Sequence, residues 1–153
     1  WGWKADAKGY GYVKLHPITS KNWPAIPEIC FKIWKKYCSK EKLPNSCLIN
    51  FYNERATLGL HQDKDENDFS IPVLSISLGN SAVFQYGCDK SIIKKICLTS
   101  GSIVIMKDHS RLFYHGISKI NIDETNILHD TNPKKFTKNC RLNLTLRRFE
   151  PKN

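Results

Sequence analysis

His61 and Asp63 stand two residues apart in the run Leu60-His61-Gln62-Asp63. In an extended chain alternate side chains share a face, so both can point into one pocket while Gln62 points away. One further histidine would complete a set of two imidazoles and one carboxylate. Such a set holds a non-haem Fe(II) and leaves open positions for oxygen and a cosubstrate. An H-x-D pair alone occurs often by chance and decides nothing. His115 is the candidate third ligand: it sits late in the strand-like run Leu112-Phe113-Tyr114-His115, and Gly116 after it relieves crowding near a bound group. His109 and His129 are rivals, each more simply read as a surface polar residue, and His16, before Pro17, reads as structural.

A second pattern lies near the end of the chain. Arg141-Leu142-Asn143-Leu144-Thr145-Leu146-Arg147 alternates strictly, with Arg141, Asn143, Thr145 and Arg147 on one face and three leucines on the other. The leucine face should pack in the core. Two arginines on an inward-looking strand need anionic partners, because an unpaired buried charge is costly. Their Cα atoms would stand about 20 Å apart at about 3.3 Å per residue. Long side chains leaning inward could then grip both ends of a small dicarboxylate through forked contacts. An edge strand with both arginines in solvent fits the same alternation. Iron ligands and a dicarboxylate clamp together are what an oxygenase requires when its cosubstrate is 2-oxoglutarate.

The elements that must position these groups can be read from periodicity. Residues 1–24 carry Trp1, Trp3, Tyr10, Tyr12 and Trp23 between glycines, which predicts loops and short strands. These rings either pack on a core or stack on bases. Pro27 to Lys42 predicts one amphipathic helix, with Pro27 and Glu28 suited to its first turn. Its expected apolar stripe is Ile29, Ile33 and Tyr37 with Cys30 and Trp34, and Lys32, Lys35, Lys36 and Lys40 face away. From Ser46 onward short strands are predicted at 47–52, 57–61, 72–78, 82–86, 92–98, 102–106, 111–117 and 141–149, separated by turn residues such as Gly79-Asn80 and Ser100-Gly101. Many short strands after one helix predict a barrel or a double-sheet jelly roll. Residues 118–139 are polar and aperiodic and read as a long loop.

The chain has 153 residues, the size of one domain. A formal net charge of +10 favours polyanion partners through counterion release, although a basic protein without such a partner fits the charge equally well. The six cysteines include no C-x-x-C pair, which disfavours a zinc finger. Cys47 and Cys97 lie in apolar runs, so buried reduced thiols in a reducing compartment are expected. No apolar run approaches the roughly 20 residues that span a bilayer.

Several blocks taken together resemble the AlkB family of Fe(II)/2-oxoglutarate dioxygenases. They are Asn22-Trp23-Pro24-Ala25-Ile26-Pro27, Cys47-Leu48-Ile49-Asn50-Phe51-Tyr52, Leu60-His61-Gln62-Asp63-Lys64-Asp65-Glu66, Ser110-Arg111-Leu112-Phe113-Tyr114-His115-Gly116-Ile117 and Cys140-Arg141-Leu142-Asn143-Leu144-Thr145-Leu146-Arg147. They run in family order over nearly the whole chain. The resemblance implies a mainly β (α+β) fold: a double-stranded β-helix, or cupin-like jelly roll, with an N-terminal nucleotide-recognition lid and a supporting helix. It implies a single catalytic domain over 1–153, with about 1–24 in the lid and 46–149 in the jelly-roll core. By resemblance His61, Asp63 and His115 bind Fe(II) and form the catalytic centre. Arg141 and Arg147, with Asn50, Tyr52 and Asn143, bind 2-oxoglutarate. Trp3, Tyr10, Tyr12, Asp65 and Glu66 contact the substrate, with Trp3 stacking on the flipped base and Asp65 reading its exocyclic nitrogen.

The implied reaction is oxidative demethylation of N-alkylated bases such as 1-methyladenine and 3-methylcytosine in DNA, preferably single-stranded, or in RNA. It consumes O2, releases formaldehyde and succinate, and uses ascorbate as a reductant in vitro. A cytoplasmic monomer without a membrane partner is expected. A 2-oxoglutarate oxygenase acting on modified tRNA or protein is one alternative, and a non-catalytic metal-binding jelly roll is another.

Overall fold

The computed structural model describes residues 1–6, 9–38, 40 and 42–150, and the side chains of that set except those of residues 3–6, 9 and 10. In chain order the strands and helices are β1 (Gly2–Asp6), β2 (Gly9–Val13), α1 (Glu28–Tyr37), β3 (Ser46–Tyr52), β4 (Leu58–His61), β5 (Val73–Gly79), β6 (Ala82–Asp89), β7 (Ile92–Leu98), β8 (Ile103–Met106), β9 (Tyr114–Ile120), α2 (Ile127–Thr131) and β10 (Arg141–Arg147). The pair β1–β2 forms a separate hairpin. The other strands make two antiparallel four-stranded sheets, one in the order β3-β10-β5-β8 and the other β4-β9-β6-β7. The two sheets stack as a jelly roll, as the spacing of short strands and turns predicts.

Two apolar clusters hold these layers. One lies outside the first sheet, where Cys30 and Trp34 of α1 pack on Leu74, Ile76 and Leu146. The other lies between the sheets and joins Tyr52 to Ala82, Phe84, Leu98, Ile117 and Ile120. β10 is a central strand bonded on both sides, to β3 and β5, which removes the edge-strand reading of its arginines. Its leucine face turns toward α1, with Leu146 wholly enclosed. Its polar face therefore points between the sheets, and Arg141, Asn143, Thr145 and Arg147 are all buried.

Several predicted boundaries move. The helix ends at Tyr37 rather than Lys42, and the chain folds back so that Trp34 Nε1 donates to the Lys42 carbonyl. Ile29 and Tyr37 are exposed, because the buried stripe centres on the i, i+4 pair Cys30 and Trp34. The strand expected at 111–117 begins only at Tyr114, since a short 3-10 turn at Asp108–Ser110 precedes it. The loop expected over 118–139 contains the end of β9 and the short helix α2. Asn126 caps α2 by accepting from Leu128 N, and its amide donates to the carbonyls of Lys138 and Cys140. All six cysteines are free thiols, but only Cys30 and Cys140 are buried; Cys97 is exposed because it falls on the outward side of β7. Among the described residues no helix is long and apolar enough to cross a membrane.

Trp34 fills the space between α1 and the first sheet at 0% exposure. Trp34→Ala should lower unfolding free energy by about 3–5 kcal/mol, the usual scale for deleting a buried aromatic side chain. Urea denaturation followed by circular dichroism checks this; a loss below about 1 kcal/mol would show that α1 contributes little.

Candidate metal and cosubstrate site

β4 and β9 pair antiparallel, and the register sets His61 directly opposite His115. Asp63 follows β4 by two residues and turns its carboxylate between the two rings. Asp63 Oδ1 lies 3.7 Å from His61 Nε2, and Oδ2 lies 3.6 Å from His115 Nε2. One ligating atom from each of the three residues falls within 4.8 Å of the others. His61 Nδ1 is 2.9 Å from the Gly59 carbonyl, and His115 Nδ1 is 3.1 Å from that of Phe113. A carbonyl accepts only from a protonated nitrogen, so these contacts leave each Nε2 with a lone pair aimed at the cluster. Burial pushes the His115 pKa down, which also favours the neutral ring. Asp63 Oδ2 is buried without a hydrogen-bond partner. A divalent transition metal fits this donor set and would satisfy the orphaned oxygen.

A close approach of backbone requires glycine at 116. A Cβ there would stand 2.4 Å from the Leu58 carbonyl oxygen and 2.9 Å from that of Gly59. The crowding is with the β4 backbone, at its irregularity between Leu58 and His61.

The cavity beside this cluster encloses about 540 Å³, counting its open mouth. It is lined by the three ligand candidates and, from the first sheet, by Asn50, Tyr52, Arg141, Asn143 and Arg147. Arg141 is fully buried, its Nη1 and Nη2 donating to the neutral oxygens Asn80 O and Ser77 Oγ, while its Nε bonds nothing. Burial lowers its pKa, with the Tyr52 phenol opposing that shift. Asn143 Nδ2 donates to Ser75 Oγ and Ile76 O, and Thr145 Oγ1 donates to Asn143 Oδ1. Arg147 instead pairs with acids, Nη2 to Asp63 Oδ1 at 2.7 Å and Nη1 to Glu66 Oε1 at 3.2 Å. Burial works against its charge, but Asp63, Tyr12 and Glu66 outweigh burial and raise its pKa.

The residues expected at the substrate side are less uniform. Trp3 and Tyr10 face each other's strands in the hairpin backbone, but their side chains lie outside the described residues. Tyr12 stacks on Phe149 with ring centroids 4.4 Å apart, and its hydroxyl donates to Glu66. Glu66 is 3% exposed and accepts from Arg111, Arg147 and Tyr12, so its carboxylate is spent inside the protein rather than held out to a base. Asp65 is exposed, and its pKa is raised by partial burial of the carboxyl and then by the nearby Glu66. Arg111 carries no role in the sequence reading, yet it is 2% exposed and donates to Asp63 O. Its signal in the sequence was membership of the block Ser110–Ile117 that carries the resemblance, to which no role was attached at Arg111.

Comparison with known proteins agrees with this geometry. The family model described as the 2OG-Fe(II) oxygenase superfamily matches residues 1–147. The chain is 40% identical over 149 residues to an alpha-ketoglutarate-dependent dioxygenase AlkB homolog of Caulobacter vibrioides, covering 96% of this chain and 64% of that protein. It is 38% identical over 152 residues to the alpha-ketoglutarate-dependent dioxygenase AlkB of Escherichia coli, covering 95% and 66%. The chain thus spans under two thirds of the length of these curated relatives. The solved structure of OsALKBH1 superposes with a TM-score of 0.79 at 34% identity, covering 96% of this chain and 75% of that one.

If the orphaned oxygen marks a metal site, cobalt(II) should stabilise the protein against heat. At a concentration 100 times its dissociation constant the gain should be about 2.7 kcal/mol. Asp63→Asn, which keeps the volume and loses the charge, should show little of this gain in differential scanning fluorimetry. An equal gain in that variant would remove Asp63 from the ligand set.

Proposed function

We propose a function from the premise that this chain belongs to the 2OG-Fe(II) oxygenase superfamily, in its AlkB branch: oxidative removal of alkyl groups from N-alkylated bases such as 1-methyladenine and 3-methylcytosine in DNA or RNA. The observation that carries the reading is the pairing of two features that line one cavity. A His–Asp–His cluster with an orphaned carboxylate oxygen stands at one side, and a fully enclosed guanidinium without an acidic partner at the other.

His61, Asp63 and His115 hold Fe(II) in this reading. Arg141, with the Tyr52 hydroxyl beside it, receives one carboxylate of 2-oxoglutarate, and Arg147 receives the other, with Asn50 and Asn143 completing the polar wall. Iron, 2-oxoglutarate and O2 together supply the oxidation of an N-methyl group to N-hydroxymethyl, with the keto acid leaving as succinate and carbon dioxide. The hydroxymethyl product then separates into formaldehyde and the repaired base.

The remaining residues select the base. A base methylated at these ring nitrogens is cationic and pairs poorly, which lowers the cost of extruding it. Asp65, at the surface near two other carboxylates, gains by meeting a cation. Trp3 and Tyr10 serve as the stacking and backbone contacts. The strand preferred is single, the protein acts as a monomer with 1–24 as lid and 46–149 as core, and its free thiols suit the reducing cytoplasm.

Formaldehyde release from a single-stranded DNA oligonucleotide containing 1-methyladenine, with Fe(II) and ascorbate, tests the reading. Release should require 2-oxoglutarate and should fail in Arg141→Ala. Succinate without formaldehyde would keep the oxygenase and discard the substrate. Trp3→Ala should raise KM by the equivalent of about 1–3 kcal/mol, the scale of base–aromatic stacking.

A further inference from the structure

Arg111 is among the most enclosed side chains of the protein, and every arm of its guanidinium is used. Nε donates to Ile71 O at 3.0 Å, Nη1 to Asp63 O at 2.9 Å and Nη2 to Glu66 Oε2 at 2.9 Å. Its guanidinium carbon also sits 5.4 Å from the centre of the Phe69 ring. These acceptors are spread along the single connection that leads from β4 to β5 and bears Asp63. One rigid fork therefore pins the connection at three points.

The tie runs in both directions. Gln62 Nε2, between the two ligand candidates, donates to Leu112 O, and His115 Nδ1 contacts Phe113 O. The stretch 111–113 thus holds Asp63 and His115 together before any metal arrives. Glu66 carries the effect further. Its two oxygens stand between two guanidiniums, Arg111 on Oε2 and Arg147 on Oε1. Arg147 meets Asp63 at the shorter distance, 2.7 Å against 3.2 Å.

We propose that Arg111 is a positioning residue for the cosubstrate site, fixing the main chain at Asp63 and neutralising Glu66 so that Arg147 stays turned toward Asp63 and the cavity. Without Arg111, Glu66 keeps Arg147 as its sole cationic partner in this set and draws it out of the cavity. A lysine cannot replace the fork, because its donors radiate from one atom and reach one acceptor region. This inference rests on reading the cavity as an Fe(II)/2-oxoglutarate site.

The test uses the full chain and the variants Arg111→Lys and Glu66→Gln, loaded with cobalt(II) as a redox-silent stand-in for iron. Three quantities are read: melting temperature, 2-oxoglutarate affinity by calorimetry, and affinity for single-stranded DNA without the keto acid. Arg111→Lys should melt cooperatively and bind DNA as the parent does, with 2-oxoglutarate affinity down at least about 10-fold, the lower end of what losing an outer partner of a metal ligand costs in metal affinity or activity. Glu66→Gln should leave 2-oxoglutarate affinity at or above the parental value, because the neutral amide no longer competes for Arg147.

A folded Arg111→Lys with parental 2-oxoglutarate affinity overturns the proposal. So does a parallel loss of both affinities, which would mark a general scaffold residue. Should Arg111→Lys fail to fold, Glu66→Gln decides, and a 2-oxoglutarate affinity about 10-fold or more below the parental value there overturns it. Failure of the parent protein itself to bind 2-oxoglutarate would overturn the cosubstrate reading instead, and this inference with it.

Discussion

Arg147 can lie buried between two sheets because Asp63 Oδ1 stands 2.7 Å from its Nη2 and Glu66 Oε1 stands 3.2 Å from its Nη1. An isolated guanidinium in that position would cost several kcal/mol. The pairing joins the central strand of one sheet to the connection leaving an edge strand of the other. The position of Asp63 is thereby set by what an arginine on the opposite sheet requires. Arg111 completes the set, so two acids and two guanidiniums answer one another in a region that excludes water. Breaking any member leaves a charge exposed to a low dielectric, where removing one partner of a buried pair typically costs about 3–5 kcal/mol.

Backbone geometry supplies what these charges cannot. His61 and His115 meet because they are directly opposed across an antiparallel pair, where side chains on one face stand closest. The close approach of β4 at the irregularity beside this pair depends on a residue without a Cβ at 116. Each ring is then oriented by a carbonyl two residues earlier in its own chain, Gly59 for His61 and Phe113 for His115. The same local device is used twice, once on each strand. The ligand geometry is therefore built from short-range contacts, while the charge network fixes where the pair of strands sits.

Much of this was legible in the sequence. The alternation from Arg141 to Arg147 correctly separated a leucine face from a polar one, and turn residues divided the chain into nearly the strands observed. What alternation could not tell was the order of burial. In β10 the polar face is the more enclosed, because it faces a second sheet while the leucines face a helix of only ten residues. Cys97 misled for a related reason: an apolar run in an edge strand has one face outward whatever its composition. Glu66 looked like part of a substrate motif and is a buried ion-pair partner. Arg111 stands in one of the resemblance blocks but could not be given a role from its neighbours, since an arginine beside an apolar run is as common on a surface. Its burial follows from carbonyls 40 and 48 residues away in the chain, which no local pattern encodes.

The two arginines of β10 share a face and differ in what answers them. Among the described residues, the buried side-chain polar atoms left without a partner are Asp63 Oδ2, Arg141 Nε and Arg147 Nε. All three residues line the same cavity. One orphan is an acceptor on an acid, and the other two are donors on cations, so no single ion can satisfy them. A cation beside Asp63 and an anion reaching both arginines would do so together. A divalent metal with a dicarboxylate also adds no net charge to the interior. A cation held by Asp63 would offset that acid's charge and weaken its hold on Arg147. Arg147 would then be free to turn toward an anion in the same cavity. On the proposed reading the two ligands are coupled through the Asp63–Arg147 pair, since an acid whose charge is offset by a metal would release the second guanidinium of the clamp.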